Sequence, residues 1–256
     1  MIDISLSTTT LAVRHRPNGV RSLNPLLWLD ASDANTLFQD AAGTILTSPG
    51  EPIGHARDKS GNGFNAVQTT NDDFRPMLRE DGERRYFQTD GIDDQLVVPS
   101  RMGLSANPAL TIVAGIRPMS STVLGHKIIA IGGAGGGLSP SFGTGGWAWR
   151  HGNGSNIFGP VANNTPVVAT FDRDANSTYS QSRLRINGNQ QSPAGSGNGG
   201  SVPTNSDNST TLFTSPTGTA AAQAHLYALL IFDRVLLPSE LALAEKYVAE
   251  KSGVSL

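Results

Sequence analysis

The sequence contains no cysteine, which excludes a disulfide framework, a thiolate metal centre and a cysteine nucleophile. Charge is also scarce: 16% of the residues are charged, and 19 basic against 21 acidic residues leave a net charge of −2. That balance generates no global positive field, so neither nucleic acid nor anionic lipid is an expected partner. No run approaches the roughly 18 consecutive apolar residues of a membrane-spanning helix. The start of the chain does not have the layout of a signal peptide, because Arg14, His15 and Arg16 follow the apolar part instead of preceding it; classical secretion is not expected. Among catalytic motifs, a Gly-x-Ser-x-Gly elbow and a His-Glu-x-x-His pair are both missing, and the five histidines are scattered singly. The expectation is a protein that is not an enzyme.

Glycine and proline are plentiful, at 29 and 15 of 256 residues. They interrupt helices and supply turns, so the composition favours many short strands. Leu110, Ile112, Ala114 and Ile116 alternate with Thr111, Val113, Gly115 and Arg117, and Leu184 and Ile186 alternate with Arg183 and Arg185. This period of two predicts half-covered strands. Leu26–Leu29, Leu96–Val98, Ile128–Ile131, Val167–Phe171 and Leu226–Phe232 are continuous apolar runs of buried-strand length. The last is the most apolar and is expected to cross the centre of a sheet covered on both faces. Asn187-Gly188 marks a tight hairpin, since both residues tolerate the left-handed region. Only the C-terminus reads as a long helix. Pro238 suits its first turn, Leu241, Ala244, Tyr247 and Val248 share a stripe, and Gly253 suits its end. Residues 125–159 and 187–210 are too rich in glycine and small polar residues to predict plain strands, and the second stretch is expected to be a long exposed loop.

Two units are expected: an N-terminal arm over residues 1–23 and one domain over residues 24–256. In the arm, Ile2, Ile4 and Leu6 alternate with polar residues, and Arg14 and Arg16 follow. These five residues are candidates for docking onto a larger assembly, against the alternative of an ordinary edge strand.

Three local patterns carry candidate chemistry. Asp90, Asp93 and Asp94 sit in one tight turn and could offer hard oxygen ligands to calcium, although aspartate and glycine are also simply good turn residues. Asp58-Lys59-Ser60-Gly61-Asn62-Gly63 is loosely similar to a calcium loop but lacks the alternating acidic ligands. Trp147, Trp149 and His151 would share one face of a strand, with Ala148 and Arg150 on the other. Such a row could stack on sugar rings as a glycan platform or fill the core. Gly143-Thr144-Gly145-Gly146-Trp147-Ala148 imitates a dinucleotide fingerprint, but no helical pattern follows it.

Leu27-Trp28-Leu29-Asp30-Ala31-Ser32-Asp33, then Asp58 to Ala66, Arg75-Pro76, Thr89 to Leu96 and Leu229 to Leu236 form an ordered set of blocks. In order and spacing they resemble the laminin-G-like, concanavalin A-like lectin/glucanase superfamily, in the subgroup common in phage virion proteins and large bacterial surface proteins. The resemblance implies an all-β fold, an antiparallel two-sheet jelly-roll sandwich, here with one C-terminal helix. Ala228 stands where relatives often carry Glu, and the paired carboxylates of the family's glucanases, spaced along one strand, are absent. The implied role is that of a non-enzymatic phage virion protein, a tail fibre, appendage or capsid decoration. Its expected partners are other virion proteins, further copies of itself and host-surface polysaccharide, with no obligatory cofactor. It would be made in the host cytoplasm and end in the virion. The alternatives are an extracellular carbohydrate-binding adhesin module and a polysaccharide depolymerase.

Overall fold

The computed structural model describes residues 19–105, 107–120, 125–132, 138–151, 154–197, 209–214 and 221–256. Two antiparallel sheets face each other, and one helix lies on the outside of the first. In the eight-stranded sheet, seven strands run in series: Asn189–Gln190, Arg183–Ile186, Val167–Arg173, Leu110–Pro118, Ala224–Phe232, Arg84–Gln88 and Met77–Asp81. The eighth, Leu27–Asp30, pairs beside Arg84–Gln88 along the same edge of Ala224–Phe232. The second sheet has eleven strands. Ten form the series Gly195–Gly197, Gly154–Ile157, Gly146–His151, Leu138–Gly143, Ile129–Ile131, Thr210–Leu212, Leu96–Val98, Ala66–Val67, His55–Ala56 and Leu37–Phe38. His126–Lys127 pairs separately with Leu138–Gly143.

The most apolar run does cross the middle of its sheet, and all nine residues of Ala224–Phe232 are buried. Alternation sorts them onto two faces. Leu226, Leu229 and Ile231 enter the core between the sheets. Ala228, Leu230 and Phe232 enter a second core under the helix. A register shift between Leu226 and Ala228 resets that alternation.

The helix Pro238–Ser252 starts where predicted, with proline in its first turn and Glu240 reaching back to the Leu237 N–H at 2.9 Å. Gly253 ends it in the left-handed region at φ 69°. Close approach to the sheet depends on small residues beneath. A Cβ on Gly115 would lie 2.9 Å from Val248 Cγ1, and Gly115 pairs with Ala228 across the sheet. Ala228 therefore belongs to the trough that seats the helix, where a longer side chain would lift it.

Three expectations need correction. The glycine-rich stretch 125–159 builds strands: His126–Lys127, Ile129–Ile131, Leu138–Gly143, Gly146–His151 and Gly154–Ile157. Among the described residues, Gly125, Gly132 and Gly146 take the left-handed backbone at strand ends. Gly146 has φ 108°, and a Cβ there would meet the Phe158 carbonyl oxygen at 2.5 Å. The stretch 187–210 is likewise not wholly loop, since it opens with the Asn187-Gly188 hairpin and includes the strands Asn189–Gln190 and Gly195–Gly197. Finally, the domain reaches back past residue 24: Val20–Leu23 is a short 3-10 helix whose Val20 and Leu23 belong to the helix-facing core. The docking candidates Ile2, Ile4, Leu6, Arg14 and Arg16 lie outside the described residues.

Candidate functional site

Two of the sequence blocks behind the family resemblance, Leu27–Asp33 and Asp58–Ala66, are tied into a structural clip. Asp58 spends both carboxylate oxygens locally. Oδ1 accepts from the N–H groups of Trp28 (3.0 Å) and Ser60 (2.9 Å), and Oδ2 accepts from Ser60 Oγ (2.6 Å) and the Phe64 N–H (3.1 Å). Asn62 donates to the carbonyls of Pro25 and Leu26. The likeness of this loop to a calcium loop is therefore a turn held by hydrogen bonds, with its one acidic residue fully engaged.

Of the two readings of Trp147 and Trp149, glycan platform or core filler, the structure supports the core. They share a face as predicted, but that face points between the sheets. Trp149 is 2% exposed, and its ring centroid lies 5.8 Å from that of Phe171 on the opposite sheet. Trp147 contacts Phe142 and Phe171. Neither indole can stack on a sugar there. His151 continues the strand opposite Leu138 and Gly154, and its side chain lies outside the described residues.

Asp90, Asp93 and Asp94 are brought together. Their carboxylates each offer an oxygen within 4.8 Å of the others. Thr89 anchors the turn, its hydroxyl donating to the Ala222 carbonyl at 2.5 Å and accepting from the Ala224 N–H at 3.1 Å. Gly91, at φ 82°, lies so close to Gln223 that a Cβ would come within 2.8 Å of that residue's Cβ. Asp90 Oδ1 accepts from the Ile92 N–H at 2.7 Å, and Asp94 Oδ2 accepts from the Asp90 N–H at 2.8 Å. Ile92 stands at the tip, 71% exposed. The neighbouring segment Ala221–Ala224 ties this turn to the second sheet, where His126 Nδ1 lies 2.6 Å from the Ala221 carbonyl oxygen.

The electrostatics of the turn are those of crowded like charges. Burial, with the charges of Asp90 and Asp93, pushes the Asp94 carboxyl up to about 7. Burial, with Asp90 and Asp73, also raises Asp93. A divalent cation would relieve this repulsion, and the turn retains carboxylate oxygens not used in the bonds above, so the donor set fits calcium. A group whose folded-state pKa is raised contributes stability below its unfolded pKa and loses it as pH rises through the folded value. Without metal, the Asp94 contribution should therefore fade between about 4 and about 7. Millimolar calcium is expected to raise the melting temperature by a few degrees at about pH 8 and much less at about pH 5, where the proton competes with the ion. Asp93→Asn should weaken the response. Melts indifferent to calcium at both pH values would remove the metal reading.

No family model matches the sequence, and no curated protein matches it. Solved structures do match its fold. The chain is similar to Trypanosoma rangeli sialidase in complex with sialic acid, with 13% identity and a TM-score of 0.53 over 90% of this chain and 33% of that one. It is similar to the binding domain of Paraclostridial Mosquitocidal Protein 1, with 14% identity and a TM-score of 0.59 over 90% and 53%. It is also similar to the Botulinum neurotoxin serotype G binding domain, with 15% identity and a TM-score of 0.54 over 88% and 51%. The chain thus spans between a third and about half of the length of these solved chains. At such identity the likeness is one of fold alone: an antiparallel two-sheet β-sandwich.

Proposed function

We propose that this chain is a non-enzymatic recognition module, displayed on a phage virion as a fibre, appendage or decoration, whose loop end contacts host-surface polysaccharide. The observation that carries the recognition part is the turn Asp90–Asp94. It is clamped to the core through Thr89, yet presents carboxylates and an exposed Ile92 to solvent. A rigid scaffold with a chemically varied loop tip is how sandwich folds support binding. Two of the solved structures that share the fold are binding domains. The virion part rests on the sequence blocks and their family resemblance. In the particle the module would sit beside other virion proteins and further copies of itself.

A second reading, a polysaccharide hydrolase, is favoured by one observation: a carboxyl at about 7 beside two others is poised as a general acid. Against it, four other buried carboxylates serve the fold. Asp30 and Asp58 hold the clip, Asp172 pairs with Arg183, and Glu245 accepts from Thr170 Oγ1 and Arg185 Nε, each at 2.9 Å.

The full chain is expected to bind purified host envelope polysaccharide with micromolar to millimolar affinity in titration calorimetry, to lose that binding on Asp93→Asn with Ile92→Ala, and to release no new reducing ends. New reducing ends abolished by Asp94→Asn would establish the hydrolase instead. Absence from purified particles would remove the virion placement.

A further inference from the structure

We infer that Lys127 and Arg150, on the outer face of the eleven-stranded sheet, form a seat for the carboxylate of an acidic polysaccharide. This deepens the recognition role and rests on it for the choice of ligand.

The register places the parts. Lys127 lies opposite Ser141 and Arg150 opposite Ser139, and the two serines are two residues apart on Leu138–Gly143. All four side chains therefore project to one face, while Phe142, Trp147 and Trp149 fill the core on the other. Lys127 Nζ donates to Ser139 Oγ at 2.8 Å, using one of its three N–H groups. Arg150 Nε is buried without an acceptor among the described residues. Gly125, at φ 80°, lies against the guanidinium so closely that a Cβ would come within 2.9 Å of Nε. Both cationic residues keep part of their surface in solvent.

What is missing is the counter-charge. Among the described residues, no carboxylate forms an ion pair with Lys127 or Arg150. The segments outside the described residues hold only Asp3 and Asp207 as acidic residues. Burial, together with the neighbouring Arg150 charge, brings Lys127 down to about 8, and burial lowers Arg150. Two half-buried cations side by side with no carboxylate partner among the described residues are costly, and an arriving anion relieves both the desolvation and the repulsion. The guanidinium supplies a planar fork that matches a carboxylate and the ammonium supplies a point charge, while the buried Ser139 hydroxyl holds the ammonium in place from beneath. The overall charge of −2 argues against a nucleic-acid backbone as the occupant.

The test is titration of the full chain with polygalacturonate, with its methyl ester, and with sodium sulfate, in the parent protein and in Arg150→Gln and Lys127→Gln, each checked for an unchanged circular-dichroism spectrum. Expected is binding of polygalacturonate that weakens at least about tenfold in either variant and falls with added salt, with no binding of the ester. If Arg150→Gln does not fold, Lys127→Gln alone decides. Equal binding of acid and ester, or binding unchanged by the substitutions, overturns the inference. So does a response to sulfate alone, or Asp207→Asn lowering the melting temperature as far as Arg150→Gln does, which would make the counter-charge internal. Binding of host polysaccharide through Asp93 with indifference to polygalacturonate sinks this seat and leaves the recognition role standing. Polygalacturonate binding through Arg150 without host-polysaccharide binding does the reverse.

Discussion

Asp30→Ala is expected to lower the unfolding free energy by about 3–5 kcal/mol, as for a buried ion pair that loses one partner. The Asp30 side chain is 1% exposed. Its Oδ1 accepts from Ser32 N–H at 2.9 Å and Ser32 Oγ at 2.6 Å, while Oδ2 accepts from Lys59 Nζ at 2.9 Å and Tyr247 Oη at 2.5 Å. Lys251 Nζ lies 3.4 Å away. One carboxylate thus joins the strand Leu27–Asp30, the loop after Asp58 and the C-terminal helix, and alanine would leave the ammonium and the phenol facing a hole. Asp30→Asn keeps part of the hydrogen bonding and should cost about half as much. Burial pushes the Asp30 carboxyl up, but the bonds from Ser32 and Tyr247 and the Lys59 charge outweigh it and hold the group at about 2. Because that value lies below the unfolded one, the stabilisation is complete above about pH 4 and is lost as pH falls towards 2. The gap between parent and Asp30→Asn should therefore be full in urea titrations at about pH 7 and should narrow below about pH 4. His225, stacked on Tyr86 and held down to about 4 by burial and by Arg117, loses its contribution over a different window, as pH falls from about 6.5 to about 4. It is present in both proteins and cancels from the difference. A cost for Asp30→Ala below about 1 kcal/mol would show that the clip does not hold the sheet to the helix.

The same clip explains what could be read from the sequence. Leu27–Asp33 and Asp58–Ala66 were recognisable because Asp30, Ser32, Asp58, Ser60, Asn62 and Asn65 each have a hydrogen-bonding duty that few other residue types can perform. The long apolar runs, the Asn187-Gly188 hairpin and the helix followed from period and turn chemistry. Within residues 125–159 the apolar run at Ile128–Ile131 and the alternation at Trp147–His151 were readable, whereas Leu138–Gly143 and Gly154–Ile157 were hidden because serine, proline and glycine occupy positions that neither alternate in polarity nor form an apolar run. Asp90, Asp93 and Asp94 were legible as a cluster because they are adjacent in the chain. Lys127 and Arg150 were not: they become neighbours only through the register of the strand between them. Alternation correctly put Trp147 with Trp149 and Arg150 with Ala148, but it names two faces without saying which is inside. Here both faces are largely covered, with Ser139, Ser141 and Ala148 buried on the outer one, so polarity alone was a poor guide.

That ambiguity makes Trp149 the sharpest place to test the architecture. Its indole crosses the gap between the sheets to Phe171, which is itself fully buried on Val167–Arg173. Removing it opens a cavity at the junction that holds the two layers face to face, and Trp149→Ala should cost about 3–5 kcal/mol, enough to unfold a marginal domain. Trp149→Phe keeps most of the apolar volume and should cost about 1–2 kcal/mol. A solvent-facing sugar platform would give the opposite pattern: alanine tolerated for stability but fatal to binding. We therefore expect Trp149→Phe to remain folded and to bind host polysaccharide as the parent does, with tryptophan emission that is blue-shifted and poorly quenched by iodide, as befits three indoles that are each at most 9% exposed. If Trp149→Ala instead melts within about 3 °C of the parent while losing glycan binding, the indole faces outward and the arrangement of the two sheets around it must be redrawn.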